Sequence, residues 1–118
     1  AVALSPQDVQ VHNNLGNVLK EIGRLEEAEA SYRQAIALKP GFAKALNNLG
    51  NVLKELGRLE EADASLSEAI EMKSDHAQFH NNLGNILREQ GRLAEAEASL
   101  SHAIALKPDF PEARHVLA

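Results

Sequence analysis

The 118-residue chain contains no cysteine, no tryptophan and no threonine. Without cysteine there is no disulfide and no thiolate metal ligand, which fits a reducing cytoplasm, the favoured compartment, without requiring it. Aromatics are 3% of the residues, so any core is aliphatic and built from Leu, Ile, Val and Ala. No apolar run approaches the ~20 residues that a membrane-spanning helix needs. No basic cluster appears, and 17 acidic against 12 basic residues give a formal net charge of −5. That balance argues against nucleic acid and against an anionic membrane as the partner. No signal-peptide pattern is visible, and a start at Ala1 is compatible with a leader already removed.

What the chain does have is a period. Gly16, Gly50 and Gly84 lie 34 residues apart, as do Ala28, Ala62 and Ala96. Three blocks follow, 9–42, 43–76 and 77–110, and any two of them agree at 20 to 24 of 34 positions. Identity at that level makes the repeat the unit of structure. Departures such as Ser74, Gln90 and His102 read as a natural sequence rather than a consensus design.

Each block carries two helical patterns. The first spans about Val9 to Ile22, with Val11, Leu15, Val18, Leu19 and Ile22 on one apolar face. Gly23 is placed to stop it in the left-handed conformation. The second spans about Leu25 to Lys39, turning Leu25, Ala28, Tyr32, Ala35, Ile36 and Leu38 inward. Lys39-Pro40 ends it, and Lys107-Pro108 does the same in the third block, because proline cannot continue a helix. The second block has Lys73-Ser74, and Asp75 is placed to cap the helix that follows. Glycine inside a helix costs up to ~1 kcal/mol against alanine. Gly16, Gly50 and Gly84 therefore predict a close helix crossing, with Ala28, Ala62 and Ala96 as small residues on the second helix.

The motif Asn-Asn-Leu-Gly-Asn stands inside the first helix of every block, and it holds all nine asparagines of the chain. Asparagine weakens a helix, because its amide competes for backbone hydrogen bonds. Its recurrence on one face, away from the apolar positions, makes it a polar surface rather than a fault in the core.

Leu15-Gly16, Ala28, Tyr32, Ala35 and Pro40 at these offsets resemble the tetratricopeptide repeat (TPR) family. The second block matches with Leu49-Gly50, Ala62, Leu66 and Ala69, and the third with Leu83-Gly84, Ala96, Leu100, Ala103 and Pro108. The family's frequent tryptophan is replaced by His12, Leu46 and His80, and its frequent tyrosine by Leu19, Leu53 and Leu87. The resemblance implies an all-α, right-handed α-α superhelix of antiparallel helix pairs. Residues 1–8 would close a preceding repeat. Residues 111–118, with Val116 and Leu117, would open a further one or form a partial cap.

By the same resemblance the first helices line a concave groove. The groove would present Asn13, Asn14, Asn17 and Lys20 from the first repeat. The second would add Lys44, Asn47, Asn48, Asn51 and Lys54, and the third Gln78, Asn81, Asn82, Asn85 and Arg88. An amide side chain offers two donors and an acceptor, which matches the backbone of an extended peptide whatever its side chains. Asn13, Asn47 and Asn81 have two open roles, ligand contact or bonding between repeats. The other six asparagines are expected to meet ligand. Alanine at Asn14, Asn48 and Asn82 is then expected to leave helicity intact or raised while weakening binding. The two-carboxylate clamp with which one TPR subclass grips heat-shock chaperones is rejected. Its places hold Asn13, Asn17, Asn48, Gln78 and Asn82, and all three cations are missing. The asparagine ladder is more similar to the TPR superhelix of O-GlcNAc transferases and to bacterial TPR arrays fused to transferase domains.

No other motif competes. Lys20, Lys54 and Arg88 run beside Glu21, Glu55 and Glu89, a nearly neutral wall. His12 and His80 recur two repeats apart, too distant to share a metal, and His76, His102 and His115 lack ligand spacing. Gly-Arg-Leu-Glu-Glu-Ala (23–28 and 57–62) lacks the lysine of a phosphate loop and reads as a turn into an acidic helix start. Ser31, Ser65 and Ser99 have no recurring histidine beside them and read as small packing residues. The expectation is a non-enzymatic protein-interaction scaffold with a peptide-binding groove, a protein or peptide partner and no cofactor. The alternative is a self-assembly module that stacks through exposed repeat ends.

Overall fold

The computed structural model describes residues 8–106. Residues 1–7 of the segment expected to close a preceding repeat (1–8), the segment expected to open a further one (111–118), and the stop at Lys107-Pro108 lie outside the described residues. The described chain forms six α-helices: α1 Val9–Glu21, α2 Leu25–Leu38, α3 Ala43–Glu55, α4 Leu59–Met72, α5 Ala77–Glu89 and α6 Leu93–Leu106. They pack as three hairpins, α1 on α2, α3 on α4 and α5 on α6, and the hairpins stack through α2 against α3 and α4 against α5. The result is an all-α superhelix measuring 49 × 26 × 21 Å.

The turns follow from glycine. Gly23, Gly57 and Gly91 all have φ between 81° and 86°, a region that costs glycine nothing. At the first turn the Gly23 amide donates to the Lys20 carbonyl and the Arg24 amide to the Leu19 carbonyl, which satisfies the end of α1. The same two bonds recur around Gly57 and Gly91. The turn thereby delivers an arginine to the cap of each second helix. Pro40 follows the end of α2, yet α4 stops at the equivalent place without a proline. One sequence expectation is corrected here. Asp75 does not cap α5: the cap residue is His76, which gives no side-chain bond, and Asp75 lies near the His76 ring at 4.0 Å. By contrast, Asp8 caps α1 through bonds to the Gln10 and Val11 amides.

The core sits between the two helix layers and between hairpins. Ala28, Tyr32, Ala62 and Leu66 are completely buried, as are Val52 and Ile86. The predicted close crossings are present. A Cβ on Gly16 would lie 2.5 Å from the Tyr32 ring, one on Gly50 2.8 Å from Leu66 Cγ, and one on Gly84 2.7 Å from Leu100 Cγ. A second expectation is corrected at α1. Leu19 is buried, but Leu15, Val18 and Ile22 are 47%, 53% and 59% exposed. Their counterparts Leu49 and Val52 are buried, because α2 covers that face of α3. No described helix covers the same face of α1.

Candidate functional site

The three first helices make one layer. α1 touches α3 and α3 touches α5, while no comparable contact joins the second helices to one another. The stack is therefore closed on the first-helix side and splayed on the other. The first-helix layer carries the asparagine motif.

The amides divide by role. Asn48 Nδ2 donates to Asn13 Oδ1 across 3.0 Å, and Asn82 Nδ2 donates to Asn47 Oδ1 across 2.7 Å. Each bond joins one hairpin to the next. Asn13 is 1% exposed, and Asn47, Asn81 and Asn82 are also buried. The open question for Asn13 and Asn47 thus resolves toward bonding between repeats. Asn48 and Asn82, expected to meet ligand, are the donors of the same joints. The physical reason is proximity: where first helices touch, amides at neighbouring register find each other before they find solvent. Gln78 Nε2 continues the chain by donating to Asn82 Oδ1 across 3.0 Å. Asn81 Oδ1, next in line as an acceptor, is buried with no partner among the described residues.

The remaining amides take no part in the joints between hairpins. Asn14 is exposed, and its oxygen accepts from Gln10 Nε2 across 3.1 Å. Asn17 is half-buried and accepts from the Tyr32 hydroxyl across 2.5 Å. Burial pushes that hydroxyl up to about 12, and Glu55 and Glu21 add to the shift. The second and third hairpins have Leu66 and Leu100 in place of this tyrosine. Asn51 and Asn85 are half-buried, no tyrosine hydroxyl reaches them, and Asn85 Oδ1 is itself buried with no partner among the described residues. Lys54 lies half-buried, 3.9 Å from Glu89, so part of the cationic row is screened as expected. Lys20 is half-buried, and Lys44, Gln78 and Arg88 are exposed. The structure therefore gathers all fourteen expected positions onto one layer but seals four of them.

Sequence reasoning missed the stitching on the opposite side. Arg58 reaches Glu29 of the preceding hairpin at 2.7 Å and Glu61 at 2.8 Å, and Arg92 reaches Asp63 and Glu95, each at 2.8 Å. Arg58 holds the Glu61 carboxyl below the usual range mainly through its hydrogen bond, and Arg92 does the same to Glu95. Burial works to raise Glu29, but hydrogen bonds from Arg33 and Arg58 outweigh it and leave it lowered. Glu29 and Asp63 thus join one hairpin to the next. Ser65 is also more than filler: its hydroxyl donates to the Leu46 carbonyl across 2.7 Å. His80 is buried, bonds through Nε2 to the Ser74 carbonyl at 2.8 Å, and stacks on His102 with ring centroids 4.2 Å apart. Among the described residues no group of three His, Asp or Glu is placed to hold a metal, and no helix is long and apolar enough to cross a membrane.

Comparison with known proteins agrees with this architecture. Family profiles described as tetratricopeptide repeat match residues 47–111 and 1–30, and one described as TPR repeat matches residues 16–57. No curated protein matches. Among solved structures the chain is similar to that of MamA, with a TM-score of 0.87 and 25% identity over 92% of this chain and 64% of that one. It is similar to a mutant O-GlcNAc transferase from Thermobaculum terrenum, with a TM-score of 0.85 and 27% identity over 89% of this chain and 20% of that one. The chain thus spans less than two thirds of either protein. The first TPR of Spaghetti (RPAP3), solved with an HSP90 peptide, superposes with a TM-score of 0.91 at 19% identity, over 99% of this chain and 93% of that one, a likeness of fold.

Proposed function

The chain belongs to the tetratricopeptide repeat family, and from that premise we propose that it is a protein-interaction scaffold whose inner face holds an extended peptide or flexible protein segment. The observation that carries this reading is the set of amides left over after the joints are made. Asn14, Asn51 and Asn85 lie on the first-helix layer at exposed or half-buried places, and no joint uses them. An extended backbone supplies N–H and C=O groups in alternation, which suits amides that can both give and accept. Lys20 and Arg88 add positive charge to the same layer. The chain itself contributes binding and positioning, not a catalytic step.

The test uses a fluorescein-labelled neutral probe, a twelve-residue peptide of alternating serine and glutamine, read by anisotropy. Asn14→Ala, Asn51→Ala and Asn85→Ala combined are expected to weaken it about tenfold or more, since each net hydrogen bond is worth ~0.5–1.5 kcal/mol. Unchanged affinity in a folded variant would remove the groove reading.

A second reading rests on a different observation, the open row Leu15, Val18 and Ile22 on α1. On the matching face of α3 such residues are covered by a neighbouring helix, so this row suits self-assembly by end-to-end stacking. Sedimentation velocity should then show mass rising toward millimolar protein, with Val18→Glu and Ile22→Glu together abolishing the rise. A strict monomer throughout that range ends this reading and leaves the groove untouched.

A further inference from the structure

The described cations fall into two groups. Arg24, Arg33, Arg58 and Arg92 are all ion-paired, and Lys54 reaches Glu89. Lys20, Lys39, Lys44, Lys73 and Arg88 form no ion pair among the described residues, and three of them, Lys39, Lys44 and Lys73, line one pocket of about 530 Å³. That pocket opens where the first turns of α3 and α5 begin, and it has no carboxylate among its lining residues. Two acids lie beside the lining residues: Asp8, whose carboxylate accepts from the Gln10 amide across 3.0 Å, and Asp75, 4.0 Å from the His76 ring. In a chain of net charge −5, a pocket walled by three lysines and no acid is a local reversal of sign. A cleft of one sign focuses the field and draws in the opposite charge.

The rest of the lining tells what kind of anion fits. Phe42 and Phe79 give the pocket an apolar part, and the Lys39 ammonium sits 5.4 Å from the centre of the Phe42 ring. Gln10, Asn47, Asn48 and Gln78 give it amides. Lysines are point charges on long stems and contact separated anions one at a time. The three come from different places: the end of α2, the first turn of α3 and the end of α4. Separated positive points, an aromatic wall and amides suit carboxylates spaced along a polypeptide, whose backbone and apolar side chains use the remaining surface. A hydrated inorganic anion would leave the phenylalanines idle.

We propose that this pocket is a docking site for an acidic stretch of a partner polypeptide, its carboxylates on Lys39, Lys44 and Lys73 and its main chain against Asn48 and Gln78. The site deepens the groove reading and rests on it, since it lies at the rim of the same layer. It selects by charge, whereas the inner amides select for extended backbone. Its contribution weakens with added salt, because exposed charges are screened over ~8–10 Å near physiological ionic strength.

Anisotropy with labelled hexaglutamate, hexaglutamine and a hexapeptide of alternating phosphoserine and glycine tests the site. The proposal expects hexaglutamate to bind more tightly than hexaglutamine. It expects Lys39→Gln, Lys44→Gln and Lys73→Gln combined to weaken hexaglutamate about tenfold or more. A charge-matched control, Ala30→Glu, Ala64→Glu and Ala98→Glu on exposed places of the second helices, should cost much less. Equal binding of the two uncharged-versus-acidic probes overturns the proposal, as does an equal loss in the control, which would assign the effect to net charge. Preference for the phosphoserine peptide over hexaglutamate overturns the choice of carboxylate. The serine-glutamine probe separates the two readings: the triple lysine variant should still bind it, and its loss only in the asparagine variant leaves the groove standing by itself.

Discussion

Leu66→Ala is expected to destabilise the chain by about 2–5 kcal/mol, the usual cost of truncating a fully buried leucine. More telling is its effect on a second change. Gly50→Ala by itself should be harmful, because the new Cβ would meet Leu66 Cγ at 2.8 Å and Cδ1 at 3.1 Å. Overpacking of this kind costs ~1–3 kcal/mol, set against a gain of up to ~1 kcal/mol in helix propensity. In the Leu66→Ala background the side-chain obstruction is gone, the propensity gain remains, and the tight contact left is the Ala62 carbonyl at 3.3 Å. Most of the penalty for Gly50→Ala should then disappear. Urea unfolding of the four chains, with midpoints and slopes compared, measures the coupling. An unchanged penalty for Gly50→Ala in the truncated background would mean that Leu66 is not what the glycine makes room for. At the first hairpin the obstacle is the ring of Tyr32, which has no branch to swing away, so Gly16→Ala should cost more than Gly50→Ala.

Asn82→Ala should cost about 1–3 kcal/mol, because it strips the donor from the buried Asn47 Oδ1 and leaves that oxygen unsatisfied. The better helix propensity of alanine returns only part of this, up to ~0.7 kcal/mol. Asn14→Ala, on the exposed surface of the same motif, should stay within ~0.5 kcal/mol of the parent chain. Asn47→Ala together with Asn82→Ala should cost less than the two single changes added, since removing both partners leaves no orphan. Thermal melts followed by circular dichroism compare all four. Were Asn82→Ala as harmless as Asn14→Ala, the joint would carry no stability. The joint itself changes the expectation that alanine at Asn14, Asn48 and Asn82 preserves or raises helicity. Two of those three residues hold hairpins together, so a loss of binding in that variant would not isolate ligand contact.

Much of this architecture was legible in the residues. The 34-residue period, the glycine turns and the small-residue crossings are local or strictly recurrent, and each has one cheap structural solution. The helix limits fell within a residue because Gly23 and its equivalents impose a positive φ. What was not legible depends on which side chains meet across hairpins. Asn13 and Asn48 are 35 places apart, and nothing local says that one accepts from the other. Arg58 and Arg92 were visible as recurring residues but read only as parts of a turn. Their partners Glu29 and Asp63 belong to the preceding hairpin. Asp75 failed as a cap although its type suits the role, because the helix starts one residue later than that role needs. The pocket lysines left a signal that was passed over. Lys39, Lys73 and Lys107 recur at the 34-residue spacing, yet were read only as helix ends.

The amide joint has a polarity. At every described junction the earlier hairpin offers a carbonyl oxygen and the later one an amino group. A linkage whose halves differ can only be propagated in one direction, like couplings on railway wagons. Grafted or lengthened arrays can therefore reuse it without limit as long as the order is kept. A twofold pairing that brought two like rims together would set oxygen against oxygen or nitrogen against nitrogen, and an amide on one side would have to flip before the joint could close.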